Sequence, residues 1–317
     1  MQHPIRIGTR GSPLALAQAH EVRDRLVAAH EGLTAEMVEI HVIKTTGDRI
    51  LDRPLTTAGG KGLFTKEIED ALLDGSIALA VHSSKDMPTR LPAGLVLSTF
   101  LEREDVRDVF ISPKAQSFME LPEGAVLGTA SLRRRALALR LRPDLNVVTF
   151  RGNVQTRLSK LEGGEADATF LARAGLNRLG MEAYATETLS LDDFMPAPAQ
   201  GAVCVEIREG DDATRALLAP LHHHATAVAV TAERAFLAAL DGSCRTPIAA
   251  YATLKGGEVQ LKAMLVSLDG KTVFAEEGTA SEADAAALGH RLGHAVRAKA
   301  GEAFFEELAA GVAALVS

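Results

Sequence analysis

Short apolar runs that stop at glycine or a small polar cluster, each followed by helical spacing, constrain this fold more than any other feature of the chain. Pro4 to Gly8 reads as a strand, and Ser12 then reads as an N-cap with Pro13 at the first helical position. Val38 to Lys44 reads as a second strand and Thr65 to Leu73 as a short helix. Ile77 to Val81 reads as a third strand that runs into His82-Ser83-Ser84-Lys85-Asp86. This alternation predicts an α/β layer architecture with largely parallel strands, in which ligands gather beyond the carboxyl ends of strands.

The pattern has an internal echo. Ile7-Gly8-Thr9-Arg10-Gly11-Ser12 opens a helix after a strand, and Leu127-Gly128-Thr129-Ala130-Ser131 does the same before Leu132 to Leu141. Each is followed by an apolar strand ending in a polar loop, Ala78 to Asp86 and Ala168 to Arg178. Default α/β repetition accounts for this; the sharper reading is two similar lobes around a cleft, crossed by the chain at Glu102 to Arg107 and Leu191 to Gln200. Beyond Pro220 an Ala-rich helical stretch, Ala225 to Leu240, precedes strand-like runs at Ile248 to Leu254 and Val259 to Val266. An amphipathic segment from Asp284 closes the chain. The expected domains are 1–101 with a return segment 202–219, then 107–195, then a smaller α/β domain at 224–317.

Composition narrows the classes. With 317 residues, 47% of them hydrophobic, the chain can build two or three cores, but with no Trp and two Tyr they must come from Leu, Ala, Val, Ile and Phe. A formal net charge of -7 gives no global field for nucleic acid or an anionic membrane, so any bound anion needs a local basic cluster. The start MQHPIRIGTR lacks a charged region before a long apolar run, and no stretch reaches membrane-spanning length. Two cysteines fit a reducing compartment, and the expected location is cytoplasmic.

Basic side chains concentrate at strand ends and helix starts. Arg10 precedes Ser12, and Arg133, Arg134 and Arg135 fill the first turn after Ser131, where cations oppose the helix dipole unless an anion joins them. Three consecutive arginines cannot all converge, so at least one points away. Arg151 and Arg157 flank Gly152-Asn153, and Arg178 follows Ala168 to Ala172. Each alone reads as a solvated basic residue; recurrence at one end of the inferred sheet favours carboxylate binding. Asp86, just past an apolar strand, is the chosen acid, able to accept ring N–H groups, stabilise a cation and move protons; its plainer role is to cap a turn before Pro88. Cys244, in Asp241-Gly242-Ser243-Cys244-Arg245-Thr246-Pro247, reads as an exposed thiol that Arg245 could activate, whereas Cys204 reads as core. His222 to His224 read as solvated linker, with no metal site expected. Gly59-Gly60-Lys61-Gly62 lacks a phosphate-loop pattern, and Thr45 to Gly62 reads as a mobile lid.

Taken in order, these segments resemble the porphobilinogen deaminases along essentially the whole length. The resemblance is carried by Ile7 to Ala15, Gly59 to Phe64, His82 to Pro88, Gly128 to Arg134, Arg151 to Arg157, Ala174 to Gly180, Gln200 to Val203 and the loop around Cys244. It implies two periplasmic-binding-protein-like lobes plus a smaller C-terminal domain, and hydroxymethylbilane synthase activity as a cytoplasmic, monomeric transferase. A dipyrromethane cofactor, attached to Cys244 by a thioether, would prime the joining of four porphobilinogen molecules into hydroxymethylbilane for tetrapyrrole biosynthesis. The resemblance assigns Asp86 the catalytic role. It assigns cofactor binding to Cys244, Ser83, Lys85, Asp86, Thr129, Ser131, Arg133, Arg134, Arg151, Gly152 and Arg157. Substrate binding falls to Arg10, Ser12, Phe64, Arg151, Arg157, Arg178 and Gln200, with Phe64 packing over the incoming ring.

Some positions depart from the commoner pattern. Ser84 stands where Met is often found, Thr57 where some members place a lysine, Ala197-Pro198-Ala199 where a Gly is frequent, and Asp241-Gly242-Ser243 where Gly-Gly is frequent. The rival readings are a hinged two-lobe receptor for a small carboxylate and a nucleic-acid binder using Arg133 to Arg135. The second is opposed by the net charge and the lack of interleaved aromatics.

Overall fold

The computed structural model describes residues 4–49, 64–242 and 246–315, apart from the side chains of Asp48 and Arg49. The chain enters with β1 (Ile5–Thr9), α1 (Pro13–Ala29), β2 (Val38–Val42), the single turn α2 (Thr46–Arg49), α3 (Lys66–Leu73), β3 (Leu79–Ser83) and β4 (Leu95–Phe100). It continues through β5 (Asp108–Ile111), β6 (Val126–Gly128), α4 (Leu132–Leu141), β7 (Asn146–Val148), α5 (Val154–Glu162), β8 (Ala168–Ala172), α6 (Arg173–Leu179) and β9 (Glu187–Thr188). Then come β10 (Val203–Arg208), α7 (Asp212–Leu218), α8 (His224–Ala239), β11 (Ile248–Lys255), β12 (Glu258–Val266), β13 (Val273–Ser281) and α9 (Ala285–Ala314). Two compact units result: Met1–Arg103 with Ala202–Ala227, and Glu104–Gly201 with Val228–Ser317.

The echo in the sequence is a repeated topology. The first unit holds a sheet of order β2-β1-β3-β10-β4 and the second one of order β7-β6-β8-β5-β9. In each, the second strand pairs in parallel with both neighbours, β1 with β2 and β3, β6 with β7 and β8. The fourth strand breaks that direction: β10 is antiparallel to β3 and β4, and β5 to β8 and β9. The sheets are therefore mixed, not largely parallel as the alternation suggested. Helical crossovers force parallel pairing, but β5 and β10 are entered where the chain passes from one unit to the other, so that constraint is absent.

Matching local chemistry builds the two repeats. Ser12 caps α1 by accepting the Ala15 N–H at 3.3 Å, and Ser131 caps α4 by accepting that of Arg134 at 3.3 Å. Glycine stands at Gly8 and Gly128, near the ends of β1 and β6, where a neighbouring side chain crosses: a Cβ at Gly8 would lie 2.3 Å from Ile77 Cδ1, and one at Gly128 2.6 Å from Phe150 Cγ. The core of the first unit packs Val22 and Leu26 of α1 on Ile7, Val81, Val203 and Val205. In the second, Phe110, Phe118, Phe170 and Phe194 form a buried aromatic cluster whose closest centroids, Phe170 and Phe194, are 4.7 Å apart.

The C-terminal sheet, β11-β12-β13, packs Leu261, Leu265 and Ala250 against Leu288, Leu292 and Val296 of α9 and Phe236 of α8. Its third strand escaped the sequence reading. β13 is an edge strand with an exposure that alternates between half-buried and exposed, so few apolar residues mark it. Among the described residues, no helix is long and apolar enough to cross a membrane.

Candidate functional site

In the first unit the polar ends of β1 and β3 meet the start of α1. β3 ends at Ser83 and the chain tightens into one turn, Ser84–Asp86, which sets Asp86 exposed at the rim of a pocket. Arg10, Ser12, Gln18, Phe64, His82 and Ser83 line the same pocket. The Arg10 guanidinium lies 4.2 Å from the centroid of the Phe64 ring, joining a cation to a flat apolar face. Gln18 Nε2 donates to Ser83 Oγ at 2.9 Å, fixing the wall between α1 and β3. Lys85 is half-buried on the turn that carries Asp86.

Beneath that pocket lies a buried ionisable cluster that the sequence reading missed. His82 Nε2 is 3.1 Å from Glu206 Oε2, and both side chains are shut away from solvent. Glu69 of α3 is 6% exposed. Burial pushes its pKa up and the nearby Glu206 adds to the rise, while the Thr65 hydroxyl and His82 work against it. The available signal was a charged residue inside each of two apolar runs, Val81-His82 and Val205-Glu206-Ile207.

In the second unit the organising residue is Asp108, also absent from the sequence reading. It is fully buried at the start of β5. Arg133 Nη2 donates to its Oδ2 at 2.6 Å, Arg134 Nη2 to its Oδ1 at 2.7 Å and Gln200 Nε2 to Oδ1 at 2.9 Å. Burial alone would raise the Asp108 pKa, but the two guanidinium charges outweigh it and hold the carboxyl well below the usual carboxylate range. Burial pulls Arg133 down from its ordinary value, and Asp108 offsets part of that. Arg133 also donates to the Met195 carbonyl at 2.7 Å, and Arg134 to that of Phe170 at 3.0 Å.

The anion that meets the start of α4 among the described residues is thus a protein carboxylate. Two guanidiniums on one carboxylate leave an excess positive charge, and Nε of both arginines has no acceptor among the described residues. Arg135 is the member that points elsewhere, donating to the Val147 carbonyl at 3.0 Å. Thr129 Oγ1 accepts the Ser131 N–H at 3.1 Å, shaping the turn into α4.

The remaining residues lie at two other helices of this unit, Arg151, Gly152 and Arg157 at the start of α5 and Arg178 on α6. Arg157 Nε donates to the Gly152 carbonyl at 3.0 Å, and Gly152 has φ +126° in the turn that joins Arg151 to α5. Arg178 places both terminal nitrogens 3.2 Å from the Gly201 carbonyl. Cys244 lies outside the described residues, as do Thr57 and Gly59, Gly60, Lys61 and Gly62 of the expected lid. Cys204 is buried in β10, as its apolar setting predicted.

These features define a class: a multi-lobed α/β protein with two like sheet-and-helix lobes, a third small sheet, and arginine-rich polar sites at strand ends. Residues 5–216 match the family described as "Porphobilinogen deaminase, dipyromethane cofactor binding domain", and residues 227–298 match "Porphobilinogen deaminase, C-terminal domain". A porphobilinogen deaminase of Paracoccus denitrificans is 58% identical over 305 residues, 96% of this chain and 97% of that protein. One of Nitrobacter winogradskyi is 56% identical over 299 residues, 94% of each chain. Among solved structures, a methionine-bound nutrient-binding protein of Burkholderia cenocepacia aligns with 68% of this chain and 90% of its own, at 15% identity and a TM-score of 0.43, too low to argue from. The chain belongs to the porphobilinogen deaminase family.

Proposed function

We propose that this chain is a hydroxymethylbilane synthase, a transferase that deaminates four porphobilinogen molecules and joins them head to tail in tetrapyrrole biosynthesis. The observation that carries this reading is the pocket of the first unit, where Asp86 at the rim shares its walls with Arg10, Ser12, Phe64 and Ser83. A carboxylate beside a flat ring and a guanidinium suits a substrate that is a carboxylated pyrrole passing through a cationic state.

The donor set also fits a dipyrromethane primer, whose rings each bear an acetate and a propionate. The buried Arg133–Arg134 pair carries more positive charge than Asp108 neutralises, and its two Nε–H groups have no acceptor among the described residues. Ser83, Lys85, Asp86, Thr129, Ser131, Arg133, Arg134, Arg151, Gly152 and Arg157 would hold the primer, with Cys244 as its thioether anchor. When bound, the primer supplies the nucleophilic pyrrole α-carbon from which the chain is extended.

The protein's own groups do the rest. Asp86 accepts pyrrole N–H bonds, opposes the positive charge that develops as ammonia leaves, and takes part in moving the ring proton. Phe64 packs on the incoming ring, while Arg10, Ser12, Arg151, Arg157 and Arg178 bind its carboxylates; Gln200, expected beside them, is buried with its amide nitrogen on the Val106 carbonyl and Asp108, and serves the site through Asp108. The reading includes three domains, 1–101 with 202–219, 107–195 and 224–317, and the separate sheet β11-β12-β13 supports the last. Only two cysteines support a reducing, cytoplasmic setting, and a monomer follows the family resemblance.

Intact-mass spectrometry of protein from a pyrrole-producing host tests the reading. A two-pyrrole adduct is expected on the wild type and not on Cys244→Ser. Asp86→Asn should keep the fold and lose most turnover, by about 10²-fold or more. A bare wild-type mass, or near-normal rates in Asp86→Asn, would overturn it.

A further inference from the structure

We infer that Glu233 is a positioning residue: it holds a strained turn whose next side chain, Gln200, braces Asp108 and with it the Arg133–Arg134 pair. The turn is Ala197-Pro198-Ala199-Gln200. Gln200 N donates to the Ala197 carbonyl at 3.0 Å, Pro198 occupies the second position, and Ala199 has φ +62°. That is the arrangement of a type II turn, whose third position normally takes glycine because a Cβ crowds the backbone there.

An alanine in this state needs an external hold, and Glu233 supplies it. The Ala199 N–H, which points away from the turn's own hydrogen bond, donates to Glu233 Oε2 at 2.6 Å. The other oxygen, Oε1, accepts the Ala252 N–H of β11 at 2.7 Å. Glu233 is fully buried and Ala199 is 1% exposed, so water cannot substitute. A carboxylate is expensive to bury, and here it spends both oxygens on backbone groups from a turn and a strand.

Ala199 leads directly to Gln200, itself 1% exposed. From that position Gln200 Nε2 reaches the Val106 carbonyl at 2.8 Å and Asp108 Oδ1 at 2.9 Å. If Ala199 relaxed to negative φ, Gln200 would swing away, Asp108 would lose a donor and the two guanidiniums would lose their fixed partner. Glu233 therefore acts through three intervening residues on the guanidiniums that meet carboxylates in the proposed function, and its catalytic consequence rests on that reading.

Four proteins test this: wild type, Glu233→Gln, Ala199→Gly and the double variant. Glutamine can accept only one of the two N–H groups, so amide exchange at Ala199 and Gln200, measured by mass spectrometry without ligand, should quicken by about tenfold or more. KM for porphobilinogen should rise or kcat fall several-fold in the same variant. Ala199→Gly should exchange and turn over near wild-type levels, and in the double variant it should restore most of what Glu233→Gln lost, because glycine holds positive φ unaided. Unchanged exchange at the turn in Glu233→Gln, or a double variant as impaired as that single, would overturn the proposal. A wild type inert toward porphobilinogen would defeat the proposed function alone, leaving the exchange pattern to decide the role of Glu233.

Discussion

Arg134 Nη2 lies 2.7 Å from Asp108 Oδ1 with both side chains hidden from solvent. Arg133 occupies the other oxygen of the same carboxylate. Such a cluster is weak evidence for net stability, yet removing its one negative member leaves two buried cations without a counter-charge. Asp108→Asn is expected to cost about 3–5 kcal/mol at neutral pH, measured by urea denaturation. Because the folded carboxyl titrates well below its unfolded value of 3.8, its contribution is present above that pH and fades as the pH falls through the folded value. The gap between the two proteins should therefore narrow in acid. A neutral-pH gap under about 1 kcal/mol would show that Asp108 is not carrying the pair.

Glu69 titrates with the opposite sign. Its pKa is raised above 4.5 by burial, so the stability it lends is complete below that pH and is lost as the pH rises through the folded value. Glu69→Gln, neutral at every pH, should make stability less dependent on pH above 4.5 and should be the more stable protein near pH 8. Finding Glu69→Gln less stable there would mean that the carboxylate form is accommodated by the fold.

Gly8 and Gly128 occupy equivalent places but should not respond equally. A new Cβ at Gly8 meets the flexible end of Ile77, whereas at Gly128 it meets Phe150 Cγ, Cβ and Cδ1, the rigid root of a ring. Gly128→Ala is expected to cost about 1–3 kcal/mol and Gly8→Ala clearly less. Thermal unfolding of the two variants side by side checks the order, and a reversal would show that the Phe150 ring yields freely.

The Arg10 guanidinium 4.2 Å above Phe64 predicts a functional more than a structural cost. Phe64→Leu should lower stability by no more than about 0.5–1 kcal/mol, the size of an accessible cation–π contact. It should raise KM for porphobilinogen several-fold. A KM equal to wild type would remove Phe64 from the substrate's path.

Much of the fold and site was legible in the chain itself. Ser12 and Ser131 could be read as helix caps because capping depends on residues only three positions apart, and the echo of Gly8-Thr9 in Gly128-Thr129 announced two like lobes. The motif residues of the first unit do converge, with Arg10, Ser12, Phe64, Ser83 and Asp86 around one pocket. The direction of β5 and β10 was not legible, since it depends on where the chain crosses between units, and β13 was hidden by its half-exposed edge position.

The sequence by itself determined the starts of α1 and α4, the family, and the excess of arginine at strand ends, all fixed by local spacing or by order along the chain. Only the tertiary structure decided which charges meet. Asp108 lies 25 and 26 residues from the arginines it binds and 92 from Gln200, and Glu206 lies 124 from His82. The cost of burying a charge is met by whatever partner the fold brings within about 3 Å, and that partner has no fixed sequence separation.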